Sequence, residues 1–279
     1  MAIITISRGS LGMGVALAEC LAKELGYPCL GRDVAREVAE KYGIQQELMD
    51  KKIEEIPSLW ERLTSERTAY VVAMQEILAG RAMEGNIVYH GFVGHLLLKG
   101  LPALLRIRVI APMEVRIPLA MAEQKIDAAA AATYIRKIDD VRARWTKFVF
   151  GVDWQDPKLY DLVLNLGDIS VQAACEAVAG LARRPEFAVT ADARARLKDF
   201  ALATRVRLIL VTHPETKGLN LAVEVRDGIA FLKGAIPDDP RYPDGGARFK
   251  KQLREMVMSV EGVKTMTLGV DTLAPISID

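Results

Sequence analysis

The chain has 279 residues, 51% of them hydrophobic, 26% charged and 6% aromatic, a balance that excludes an intrinsically disordered polymer. Its 37 lysines and arginines against 36 acidic residues leave a formal charge of +1, so no global basic field marks a nucleic-acid binder, and no nucleic acid is expected as a partner. At roughly 100–200 residues per domain the length fits one large domain or two unequal ones.

Ala2 to Ile6 is short and β-branched, the pattern of a buried strand, and a glycine-rich turn follows it. Val15 to Leu25 carries apolar residues at helical spacing and ends at Gly26; Asp33 to Tyr42 repeats the device and ends at Gly43. Ser58 to Met83 reads as one or two helices. Ile87 to Tyr89 and Leu104 to Ile110 read as strands, the second followed by a helical pattern from Met113 to Met121. Thr133 to Phe150 is a charged helix, Leu162 to Asn165 a strand, and Ser170 to Leu181 an alanine-rich helix. Strands alternating with helices predict an α/β fold, a parallel sheet with helices on both faces.

Arg183 to Glu186 breaks the rhythm, and residues 184–200 read as a linker and connecting helix between a first domain, 1–183, and a second, 201–279. The helical pattern runs from Ala191 to Thr204, and an apolar stretch, Val206 to Val211, comes next. Leu221 to Val225 alternates toward Asp227-Gly228, which with Ile229 to Ile236 is a hairpin signal. Phe249 to Val257 is amphipathic and Val263 to Val270 reads as a last strand, so the second unit is a small α+β domain. Cys20, Cys29 and Cys175 are scattered and lack metal-site spacing, which predicts inert thiols in a reducing compartment and no metal site. The richest apolar stretch, Ile87 to Pro112, is interrupted by His90, His95, Lys99, Arg106 and Arg108, so no transmembrane segment is expected. With no secretory pattern at the start, the expectation is a cytoplasmic protein.

The turn Ser7-Arg8-Gly9-Ser10-Leu11-Gly12-Met13-Gly14 lies between a strand and a helix, where backbone N–H groups suit phosphate oxygens. Gly9 and Gly14 have the G-x-x-x-x-G spacing of a P-loop, but Val15 and Ala16 stand where lysine and serine or threonine should follow. Two readings stay open here, a packing turn or an anion site without the usual lysine. Elsewhere, His90 and His95 read as packing or solvent-facing rather than as ligands, Asp139 and Asp140 as surface ion pairs, and Trp145 and Trp154 as core or lid packing.

Several segments in order resemble the cytidylate kinase-like family of P-loop proteins. They are Ile4 to Arg8 with the glycine turn, Leu17 to Pro28, Arg32 to Ile44, Arg136 to Arg144, Gly151 to Trp154, Asp156-Pro157 and Tyr160 to Asn165, spanning most of Ile3 to Ala182. The resemblance implies a nucleoside-monophosphate-kinase fold, a transferase that uses ATP and magnesium and acts on a nucleotide such as CMP. It implies a phosphate loop of Gly9, Gly12 and Gly14 for ATP, an acceptor side lined by Arg32 and Asp33, and a lid carrying Lys137, Arg142 and Arg144; the residues of the turn add Ser7 or Ser10 as a hydroxyl for phosphate or metal. With Arg8, those lid residues would neutralise charge on the transferred phosphoryl group. Two cations of the pattern are missing, the P-loop lysine and the arginine of a Gly-Arg pair that stands here as Gly91-Phe92. The tail from Arg205 to Val270 resembles a BON domain, which implies a protein or phospholipid partner. Three functions follow: an active nucleotide kinase, a nucleotide-sensing pseudokinase, or a scaffold that works through its tail.

Overall fold

A computed structural model describes residues 2–9, 11, 13–43, 64–91, 93–237 and 246–273. The chain divides into two compact units: one holds Met1–Glu61 and Glu84–Ala193, the other Arg62–Met83 and Arg194–Asp279.

The first unit is built on five parallel strands: β1 (Ile3–Arg8), β2 (Cys29–Leu30), β3 (Ile87–Tyr89), β4 (Leu104–Ile110) and β5 (Leu162–Asn165), in the spatial order β2-β3-β1-β4-β5. β1 is the central strand. Ile3 and Ile4 face Ile87 and Val88 on one side and Leu104 and Leu105 on the other. A strand enclosed between two neighbours and covered on both faces has no solvent side, which is why Ile3, Ile4 and Ile6 run without polar alternation and are at most 1% exposed. The helices are α1 (Gly14–Leu25), α2 (Arg32–Tyr42), the short α4 (Gly94–Leu97), α5 (Met113–Gln124), α6 (Ala128–Phe150) and α7 (Val171–Ala182). Leu17, Ala18 and Leu21 of α1 and Ala174, Cys175 and Val178 of α7 pack into one core with Ile4, Ile6, Leu105 and Ile107. Each such side chain contributes about 1.5–3 kcal/mol if large and fully buried. The α/β parallel sheet read from the sequence is therefore the fold observed.

The helix α6 begins five residues before its expected start. Asp127 caps it, accepting from the Ala130 N–H at 2.8 Å, and so draws the alanine run into the helix. The thiols differ more. Cys20 of α1 and Cys175 of α7 are joined as a disulfide, with Cα atoms 6.1 Å apart, because the two helices lie side by side although the cysteines are 155 residues apart in sequence. The expectation of three inert thiols is corrected, with Cys29 the free cysteine. One support for a reducing compartment goes with it.

The second unit contains α3 (Thr64–Met83), most of α8 (Ala191–Thr212), α9 (Ala247–Met258) and a sheet β6-β7-β8. β6 (Leu221–Arg226) and β7 (Ile229–Pro237) form the expected hairpin, and β8 (Thr265–Leu273) pairs parallel to β7. The Asp199 carboxylate holds the turn, accepting from the N–H groups of Asp227 at 2.7 Å and Gly228 at 3.1 Å. The apolar stretch Val206 to Val211 continues α8. Its Leu202, Val206 and Leu210 fall four apart on one stripe and are buried with Phe249, Leu253 and Val257 of α9, and that packing outweighs the β-branched residues. No described helix is long and apolar enough to cross a membrane.

Candidate functional site

In an open parallel sheet the crevice lies at the carboxyl ends of the strands, beside the point where the strand order reverses. Here that point is the end of β1, where the glycine turn leads into α1. Leu11 and Met13 both hold positive φ, 57° and 56°, conformations that cost non-glycine residues energy and that cluster at binding sites. Met13 is the N-cap of α1 and gives it no side-chain hydrogen bond, so N–H groups of the first turn point toward the turn without a cap. Leu11 packs on Ala120, Ala131 and Ile135, which ties the turn to α5 and α6.

Guanidinium groups gather over this turn. Arg8 ends β1 and lies across the start of α1; a Cβ on Gly14 would come within 2.7 Å of its Cδ. Arg142 of α6 donates from Nη1 to the Arg8 carbonyl at 3.3 Å. Arg116 of α5 pairs through Nη2 with Asp139 of α6 at 2.5 Å, the two side chains being 11% and 23% exposed. That pair sits above Gly9: a Cβ there would lie 3.4 Å from Arg116 Nη2 and 3.7 Å from Asp139 Oδ1. The charges feel one another. Arg142 is pushed down to about 10, first by burial and then by the Arg8 charge, with Asp139 opposing and Arg116 and Arg32 adding to the depression. Arg8 is lowered by burial and next by Arg32, and its Nε is buried without a hydrogen-bond partner among the described residues. Arg8, Arg116 and Arg142, with the charge of the exposed Arg32 felt by two of them, thus outnumber the carboxylates of Asp139 and, acting on Arg8, Glu123, an excess that a phosphate chain is suited to offset.

The other residues singled out in the sequence divide plainly. Ser7 is 2% exposed and its hydroxyl lies 3.4 Å from that of Tyr160, so it belongs to the layer under the turn. Tyr160 also donates to the Trp154 carbonyl at 2.7 Å, and Arg108 reaches the same carbonyl while stacking 4.6 Å from the Trp154 ring. Asp33 accepts from the Gly31 N–H at 2.6 Å and steadies the start of α2, beside the exposed Arg32. Lys137 is exposed, and Arg144 pairs with Asp140 at 2.8 Å on an exposed face of α6. Arg142 and Arg144 therefore part company, only the first joining the cluster. Ser10, Gly12 and Phe92 lie outside the described residues. Arg116 was not singled out in the sequence reading. Its signal was available: an arginine in the first helical turn after the strand beside β1, placed at the same end of the sheet as the glycine turn.

His95 packs 4.6 Å from the Tyr160 ring, is 2% exposed, and has neither ring nitrogen hydrogen-bonded among the described residues. Burial, aided by Arg106 and Arg108, pushes it down to about 3, so it is a neutral packing group. The turn and its arginines fit the phosphates of ATP. Magnesium fits the described residues poorly. Ala16 brings no hydroxyl, Ser7 is engaged below the turn, Asp139 is held by Arg116, and no three His, Cys, Asp or Glu side chains group as a metal site among the described residues.

The chain is similar to known proteins over its first unit. A cytidylate kinase of Methanopyrus kandleri is 30% identical over 165 residues, 58% of this chain and 83% of that protein. An uncharacterized protein from Eubacterium ventriosum of known crystal structure aligns over 66% of this chain and all of its own, with a TM-score of 0.52 at 18% identity, a likeness of fold. A shikimate kinase from Acinetobacter baumannii aligns over 65% of this chain and 93% of its own at a TM-score of 0.39 and 10% identity. The sequence pattern of the cytidylate kinase-like family matches residues 3–168, the stretch that carries the sheet, the glycine turn and the arginine cluster, and the chain belongs to that family.

Proposed function

We propose that the chain is a nucleotide-binding phosphotransferase in which arginines take the place of the P-loop lysine, with ATP as donor and a nucleoside monophosphate such as CMP as acceptor. The observation that carries this reading is the convergence of Arg8, Arg116 and Arg142 on the turn between Gly9 and Gly14, with Arg32 close enough to depress both Arg8 and Arg142. An acceptor phosphate oxygen attacks the γ-phosphorus, the bond to the bridging oxygen breaks, and ADP leaves. Through this step the chain's work is positioning and charge neutralisation. Asp33 acts indirectly, by fixing the first turn of α2 beneath Arg32.

Titration calorimetry with ATP and CMP, followed by an ADP-release assay, tests the reading. Arg142→Ala is expected to cost about 10–100-fold in ATP affinity or turnover, the scale of losing a charge-assisted contact to phosphate. Arg144→Ala, whose pair with Asp140 is solvent-exposed, is expected to stay within about twofold. Equal losses in both variants would overturn the assignment. Binding without ADP release would make the chain a nucleotide sensor. The second unit supports a separate reading, a partner or anionic lipid surface held in a groove of about 400 Å³ lined by Lys250, Lys251, Arg254, Met266 and Leu268, where cations border apolar side chains. Pelleting with anionic vesicles, and its loss in Lys250→Glu/Arg254→Glu, tests that assignment.

A further inference from the structure

We infer that the site takes its polyphosphate ligand free of metal, the arginines supplying the charge neutralisation that magnesium gives elsewhere; this rests on the phosphate-binding reading above. Magnesium in nucleotide sites is held by one or two protein oxygens together with the substrate phosphates, and a P-loop supplies a hydroxyl for it. In this chain the corresponding position is Ala16. Ser7, the described hydroxyl next along the strand, is buried against Tyr160. The carboxylate at the turn, Asp139, is already engaged with Arg116 at 2.5 Å, and an incoming cation would have to displace that guanidinium while facing Arg8 and Arg142. The charged groups described at the turn are therefore mostly guanidinium, Arg8, Arg116 and Arg142 against Asp139 and, acting on Arg8, Glu123, a balance that disfavours a cation and attracts the most highly charged form of the anion.

A metal-free nucleoside triphosphate carries about four negative charges near neutral pH and its magnesium complex about two, so a site with excess positive charge favours the first. Burial first, and then the Arg8 charge, depress Arg142, and the Arg8 Nε is buried without a hydrogen-bond partner among the described residues, so an anion entering here meets poorly solvated positive groups.

The test is titration calorimetry of the full chain with ATP and, separately, inorganic tripolyphosphate, in EDTA and in excess magnesium chloride at matched ionic strength. The expected result is binding in EDTA that weakens about 3–10-fold when magnesium is present. Arg116→Gln should lose more affinity in EDTA than in magnesium, narrowing the difference. Equal or tighter binding in magnesium overturns the inference while leaving the phosphate site standing, as does an equal loss by Arg116→Gln in the two conditions. Absence of binding in both buffers overturns the inference and the phosphate site together.

Discussion

The pair between Arg116 and Asp139 is the place where the cluster can be perturbed with a definite sign. Asp139 is the enclosed carboxylate among the guanidinium groups of Arg8, Arg116 and Arg142, so Asp139→Asn leaves the shape nearly unchanged and removes one negative charge. Exposed ion pairs contribute about 0–1 kcal/mol, and breaking a fully buried one costs about 3–5 kcal/mol. With the two side chains 11% and 23% exposed, an intermediate loss of about 2 kcal/mol is expected, a fall in Tm of roughly 4–8 °C for a unit of this size. Anion binding should move the other way. The carboxylate lies beside the space above Gly9 that a phosphate would enter, and removing its repulsion is worth about 1 kcal/mol after screening, or about fivefold in affinity. Thermal melts with and without tripolyphosphate read both effects: a lower Tm without the anion and a larger upward shift with it. A variant that melts lower and also binds more weakly would refute the reasoning, because Asp139 would then be orienting Arg116 for the ligand rather than competing with it.

Gly14→Ala should raise local helix propensity by about 1 kcal/mol, yet its Cβ would lie 2.7 Å and 2.8 Å from Arg8 Cδ and Cβ, so displacement of Arg8 wins and tripolyphosphate affinity falls about tenfold in calorimetry. His95 is held at about 3 in the folded chain against about 6.5 unfolded, so the unfolded state takes up the proton first. Its contribution is constant above about pH 6.5, and stability falls as the pH drops below that value, by about 2 kcal/mol at pH 5. His95→Gln should flatten the Tm profile between pH 5 and 7, and an unchanged slope would place the titration elsewhere. The bond between Cys20 and Cys175 predicts one titratable thiol, Cys29, in protein denatured without reductant. Because the bond closes a separation of 155 residues, Cys175→Ser should cost about 2–4 kcal/mol in denaturant unfolding; three thiols in the denatured chain would dismiss the bond.

The sheet was legible because its signals are local. The unbroken apolar run at Ile3 to Ile6, the caps at Gly26 and Gly43 and the hairpin dipeptide Asp227-Gly228 each act within a few residues, and each element formed where its signal lay. The glycine turn was legible for the same reason. What sits above it was not. Arg116 is more than a hundred residues from Gly9, and only the parallel register of β4 beside β1 brings the start of α5 to the end of β1. Arg142 and Arg144 looked equivalent in sequence, and the rotation of α6 alone turns one to the cluster and the other to Asp140 in solvent. A lysine after Gly14 would be a local feature, whereas arginines brought from β1, α5 and α6 are not. A phosphate needs compact positive charge at a point in space, and a sheet that gathers strand ends can deliver it from β1, α2, α5 and α6 as well as from the turn itself. The same gathering pairs Cys20 with Cys175, two cysteines whose spacing in the chain carried no hint of a bond.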